Sequence, residues 1–220
     1  MSADFGQEQR RRYKEESPHL PAEGKVELAK LLPAPVQRLE IEIGPGRGGF
    51  LIERLEGQPD VGIVAFEVSR KWTTLVNDRL GRLALAPRGR VFADDARLAL
   101  ARLEPAAKIA CVYLHFPDPW WKKKHQKRLV MGTTLLDEVA RLLSPGGELF
   151  VQTDVDDRAD LYEAQIAAHP AFEPFGDGSA GDPATSPRLA ENPYGARSHR
   201  ERRAIDDAIP IYRLRFRRRG

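Results

Sequence analysis

The run Glu42-Ile43-Gly44-Pro45-Gly46-Arg47-Gly48-Gly49 joins a carboxylate to a cluster of glycines. Glycines let a chain turn sharply and bring backbone N–H groups close to a ligand. Gly44, Gly46 and Gly49 satisfy G-x-G-x-x-G, and Glu67 follows roughly 20 residues on, the spacing at which a carboxylate meets the ribose of a nucleotide. That pattern alone serves a nicotinamide dinucleotide or S-adenosylmethionine. Glu42 separates them by charge: two residues before the first glycine, it would repel a pyrophosphate and attract a cationic aminoacyl sulfonium. A second run is Phe116-Pro117-Asp118-Pro119-Trp120-Trp121-Lys122-Lys123-Lys124-His125-Gln126-Lys127-Arg128. Its prolines fix the backbone on both sides of Asp118 and hold that carboxylate in place. Aromatic rings beside lysines and arginines supply stacking surface and phosphate contacts together, as RNA with unpaired bases requires. Cations at a helix start oppose the helix dipole, so an external anion accounts for this cluster better than a solvated face does.

The elements that must position these residues alternate along the chain. Strand-like apolar runs fall at residues 38–43, 61–66, 90–93, 109–116 and 148–153. Helical spacing falls at 48–55, 70–85, 96–103, 128–143 and 157–168, and a final strand is expected over 208–216. Such β-α repetition specifies an α/β fold with a doubly wound, Rossmann-like sheet, whose ligand crevice lies outside the carboxyl ends of the strands. Both runs sit at such ends. Residues 1–22, polar and then punctuated by Pro18 and Pro21, are expected to form a flexible tail. Residues 23–220 are expected to form one domain, with a flexible loop near 176–193 where Gly, Pro, Ser and Ala dominate.

Composition sets wider bounds. The chain has 220 residues, 41% of them hydrophobic, which suits one globular domain. Its 35 basic residues against 32 acidic give a net charge of only +3, so the distribution of charge matters more than its total. Basic residues cluster at Lys122 to Arg128, at Arg197 to Arg203 and at Arg213 to Arg219. The single Cys111 sits in an apolar run and reads as core. No stretch approaches the roughly 18 apolar residues of a membrane span, and no His/Cys spacing suggests a metal site. A cytoplasmic protein without membrane or metal is expected, its oligomeric state open.

With these residues in place, the chain resembles the tRNA (guanine-N7)-methyltransferases, a family of class I S-adenosylmethionine-dependent enzymes. The run F-P-D-P-W followed by K-K-x-H-x-K-R carries most of the resemblance. Glu42 with its glycines, Phe66-Glu67, Thr153-Asp154 and the closing Pro210-Ile211-Tyr212-Arg213-Leu214 extend it over roughly residues 24–216. The resemblance implies a mostly parallel sheet with an antiparallel C-terminal strand. It implies cofactor binding by Glu42, Gly44, Gly46, Glu67, Asp95 and Asp118, with Asp95 chosen over its neighbour Asp94 as the adenine-side contact. Asp118 is then the catalytic residue, and Lys122 and Asp154 bind the tRNA substrate. A further family element, T-x-[FY]-E, corresponds here to Ser198-His199-Arg200-Glu201, with arginine where the aromatic stands. Ser198 and Glu201 are either substrate contacts or a helix capping box.

Two other readings use the same residues. A nicotinamide-dependent oxidoreductase fits the glycine spacing but leaves the F-P-D-P-W-W-K-K-K run without a role. A non-catalytic RNA-binding protein on a methyltransferase scaffold fits the altered Ser198 to Glu201 element.

Overall fold

The computed structural model describes residues 2–117 and 131–220, with side chains from Gln7 onward. Asp118, Lys122 and the remainder of the expected substrate run through Arg128 lie outside the described residues.

In chain order the elements are α1 (Ser2–Glu16), β1 (Val26–Glu27), β2 (Arg38–Ile43), α2 (Gly49–Gly57), β3 (Val61–Phe66), α3 (Arg70–Arg82), β4 (Gly89–Phe92) and α4 (Ala96–Ala99). They continue with β5 (Leu103–Glu104), β6 (Ile109–His115), α5 (Thr133–Leu142), β7 (Leu143–Thr153), α6 (Asp156–Ala167), β8 (Phe172–Pro174), α7 (His199–Asp206) and β9 (Tyr212–Arg218). Among the described residues the main sheet runs β4-β3-β2-β6-β7-β9-β8. It is parallel from β4 through β7, and β9 enters antiparallel between β7 and β8. β1 and β5 form a separate small parallel pair.

Alternation along the strands sorts side chains to two faces. Ile41, Ile43, Val112 and Leu114 pack with α5 and α6 residues such as Val139 and Tyr162. On the opposite face Ile63 and Ala65 meet α2 and α3 through Leu51, Leu55, Val76 and Leu80. Cys111, Tyr113 and Phe150 meet Phe50 and Tyr194 there. Helices cover both faces, as a doubly wound sheet requires. Cys111 is fully buried, and burial pushes its thiol well above the usual range. It is a core residue and not a nucleophile.

Several elements depart from the sequence expectation. The expected tail is helical over Ser2–Glu16, and Arg12 reaches Asp78 on α3 at 2.6 Å. Ser17 is buried, its hydroxyl 3.0 Å from Thr74 Oγ1. The last strand starts at Tyr212 instead of residue 208, because Ala208 has φ of +51° and closes α7: its N–H donates to Ile205 O, and that of Ile209 to Ala204 O. Residues 176–193 lack helices and strands of their own, but Asp177 accepts N–H bonds from Ser179 and Ala190 and so ties the two ends of the loop together. No helix among the described residues is long and apolar enough to cross a membrane.

Candidate active site

The chain leaves β2 for β3 and β4, then returns to β6 on the other side of β2. Strand order therefore reverses between β2 and β6, and ligands of open α/β sheets bind at the carboxyl ends flanking such a point. Two cavities open there. The first, about 520 Å³, is lined by Gly44, Phe66, Glu67, Asp94 and Asp95. The second, about 790 Å³, is lined by Glu42, Arg47, Asp154, Arg200 and Arg203. Gly44, His115, Phe116 and Pro117 line both, so the cavities meet where β6 ends.

In the glycine turn, Gly44 and Gly46 have φ of +69° and +53°, and a Cβ at either would meet no protein atom within 4 Å. That volume is left to a ligand. Gly49, by contrast, is needed for close approach: a Cβ there would lie 3.2 Å from His199 N and 3.3 Å from Arg197 O. Glu67 is buried at the end of β3. One carboxylate oxygen accepts the Gly46 N–H at 3.0 Å, the other the Ser69 N–H at 2.8 Å. Since each carboxylate oxygen can accept more than one hydrogen bond, Glu67 can hold the turn and receive ligand hydroxyls as well.

Asp94 and Asp95 both line the first cavity but are held differently. Asp95 caps α4, accepting the Arg97 N–H at 3.0 Å. The hydrogen-bonded Arg97 guanidinium holds its carboxyl below the usual carboxylate range. Asp94 accepts the Leu20 N–H at 2.8 Å and lies 3.0 Å from His19 Nδ1, anchoring the segment before β1.

In the second cavity Asp154 is largely buried and paired with Arg200 of α7. Arg47 lies 3.1 Å from His199 Nε2 and 5.1 Å from the centroid of Trp72. Glu42, at the end of β2, is buried with Oε1 3.0 Å from His115 Nδ1. Phe116 adopts φ of +47°, in the left-handed region that a bulky side chain rarely enters. Its N–H donates to Gln152 O at 2.7 Å. This strained residue swings the chain out of β6 so that Phe116 and Pro117 line the junction of the two cavities.

Ser198 and Glu201 form the cap, and Ser198 also lines the second cavity. The Ser198 hydroxyl accepts the Glu201 N–H at 3.1 Å and starts α7. Glu201 is fully buried and lines neither cavity. Its carboxylate receives Gln152, Asn192 and Arg213 and so ties α7 to the preceding loop and the sheet.

A family model described as "Putative methyltransferase" matches residues 36–208. A tRNA (guanine-N(7)-)-methyltransferase of Myxococcus xanthus (strain DK1622) is 35% identical over 180 residues, covering 81% of this chain and 82% of that protein. One from Paramagnetospirillum magneticum (strain ATCC 700264 / AMB-1) is 33% identical, covering 89% and 79%. The chain belongs to the tRNA (guanine-N7)-methyltransferase family. Its fold also matches the 16S rRNA methyltransferase KamB, with a TM-score of 0.57 at 14% identity, covering 84% of this chain and 89% of that one. A SAM-dependent O-methyltransferase from Thermotoga maritima gives a TM-score of 0.53 at 16% identity, covering 88% and 63%. These structures show the same Rossmann-like architecture that the sequence implied.

Within this family member, the features that sequence reading missed are the conformation of Phe116 and the contact between His115 and Glu42. A left-handed φ at a phenylalanine leaves no mark in composition or periodicity. His115 did stand at a strand end, level with the glycine turn, but its pairing with Glu42 required the register of β6 against β2.

Proposed function

We propose that the two cavities are the two halves of one methyl-transfer site, with the cofactor's nucleoside in the first and the target base in the second. The enzyme is an S-adenosylmethionine-dependent methyltransferase acting on N7 of a guanine in tRNA. One observation supports the division of labour above others: the cavities meet at the wall formed by Gly44, His115, Phe116 and Pro117, directly before Asp118. A ligand in each would meet its neighbour there.

The residues present suit the cofactor. Gly44 and Gly46 leave open volume, Glu67 offers a carboxylate that suits ribose hydroxyls, and Asp95, which the family resemblance assigns to the adenine side, lines the same cavity. Glu42 carries a buried carboxylate oxygen, Oε2, without a partner among the described residues, as a site for a cationic aminoacyl group would. When bound, S-adenosylmethionine supplies an electrophilic methyl group. Guanine N7 already holds a free lone pair at neutral pH, so the protein must align the base and need not deprotonate it. By family resemblance Asp118 orients the base and stabilises the positive charge that develops on its ring, while Lys122 and Asp154 bind the tRNA. In A-form RNA guanine N7 lies in a deep groove that side chains cannot read, so the target base belongs to a loop or a tertiary element.

The test is Asp118→Asn, which keeps the shape and removes the charge. Single-turnover methyl transfer at saturating tRNA and cofactor is expected to fall about 10²-fold or more, the scale of a lost preorganised electrostatic group. Equilibrium binding of each ligand should change much less. Transfer within a few-fold of wild type would leave Asp118 a turn residue.

A further inference from the structure

Glu40 and Glu42 stand two residues apart on β2 and point to the same face, and both are buried, yet they are satisfied unequally. Glu40 receives Arg54 through two hydrogen bonds, at 2.8 and 3.1 Å, and the Tyr113 hydroxyl at 2.8 Å. Glu42 receives His115. Its Oε2 and the His115 Nε2 are both buried without a partner among the described residues. A buried carboxylate oxygen without a partner is costly unless something supplies a donor.

The contact orients the His115 ring. With the Glu42 carboxylate accepting from Nδ1–H, that tautomer of the imidazole leaves Nε2 as an acceptor. The ring is held by Phe50, whose centroid lies 4.3 Å away in an edge-on arrangement, and by Phe150 at 5.9 Å. Two acceptors, the Glu42 carboxylate and that Nε2, therefore stand on neighbouring residues of the second cavity's lining, His115 lining the first cavity as well. An ammonium group, with several N–H donors and a positive charge, matches both.

We propose that His115 is a positioning residue for the cofactor, its Nε2 accepting a hydrogen bond from the α-ammonium of the aminoacyl tail while Glu42 Oε2 accepts another. This rests on the methyltransferase reading above and adds to it a second acceptor for that tail. Held at both ends, at the ribose by Glu67 and at the ammonium by the Glu42 and His115 pair, the cofactor cannot swing its sulfur away from the junction.

The experiment measures equilibrium binding of two ligands to the full chain: S-adenosylhomocysteine, and 5′-methylthioadenosine, which keeps the nucleoside and thioether but lacks the amino acid. His115→Phe is expected to weaken the first by about tenfold or more, as a lost hydrogen bond to a charged group does, and to leave the second within about twofold. Equal weakening of both would make His115 a mere support of the cavity wall and overturn the assignment. Unchanged binding of both, with weaker tRNA binding, would overturn it in favour of a contact to the base. A wild-type chain that binds neither ligand would remove the methyltransferase reading itself. Should the variant fail to fold, ¹⁵N spectra of the wild-type imidazoles serve instead. The His115 Nε2 resonance is expected to move on adding S-adenosylhomocysteine and to stay with 5′-methylthioadenosine, and no difference between the two would refute the assignment.

Discussion

Glu67 does two things at once, and its substitution should show both. Its carboxylate holds the Gly46 and Ser69 N–H groups and faces the cavity assigned to the nucleoside. Glu67→Ala is expected to weaken S-adenosylmethionine binding by about 1.5–3 kcal/mol through loss of charge-assisted hydrogen bonds, with tRNA affinity little changed. Calorimetric titration checks this, and equal cofactor affinity in mutant and wild type would remove Glu67 from the site. Asp154 lines the second cavity. Its pairing with Arg200 holds that guanidinium at the mouth of the second cavity. Asp154→Ala is therefore expected to reduce methyl transfer at subsaturating tRNA while leaving cofactor binding within about twofold, since a partly exposed ion pair contributes on the order of 1 kcal/mol or less. A cofactor affinity that falls with the tRNA effect would place Asp154 in the wrong half.

At the level of elements, the start of α7 was offered in the sequence by the Ser198 to Glu201 capping box, whereas the burial of Glu201 in this short, strongly polar helix was not. Ser198→Ala should cost about 1 kcal/mol of stability, the usual contribution of an N-cap. Glu201→Ala should cost about 3–5 kcal/mol, because it leaves Arg213 buried beside a missing partner. Thermal or denaturant unfolding measures both, and a Glu201→Ala protein as stable as wild type, with tRNA binding impaired, would favour a direct substrate role over a structural one. The parallel strands β2, β3 and β6 were legible because their apolar runs are bounded by turn residues, and the glycine turn because its conformations need glycine. The two-residue strands β1 and β5 and the three-residue β8 are too short to carry a period. α1 was hidden by its polar composition, since its contact with α3 runs through Arg12 and Asp78 and not through an apolar stripe. Glu40 and Glu42 alternate with isoleucines as residues on a solvated face would. α2 covers that face, and Arg54 from that helix neutralises Glu40.

Across the whole molecule, net charge is small but the cations are placed unevenly, and many are already paired. Arg200, Arg202 and Arg203 pair with Asp154, Glu53 and Asp207, so this cluster offers less to RNA than its sequence suggests. We propose that the RNA contact rests mainly on Lys122, Lys123, Lys124, Lys127 and Arg128. Replacing all five with Gln is expected to reduce tRNA affinity and to flatten its salt dependence by about 0.7–0.9 in log–log slope for each phosphate no longer neutralised. Cofactor affinity should be untouched, and an unchanged slope would mean that the cluster does not face RNA. The central claim, that one site joins the two cavities to methylate guanine N7, is tested most directly by methyl transfer itself. Wild-type protein is incubated with labelled S-adenosylmethionine and unmodified tRNA, and the labelled nucleoside is identified after digestion and mapped to its position in the chain. The account predicts 7-methylguanosine at a defined guanine outside a regular helix. Absence of label from tRNA, or label on another atom or base, would contradict it.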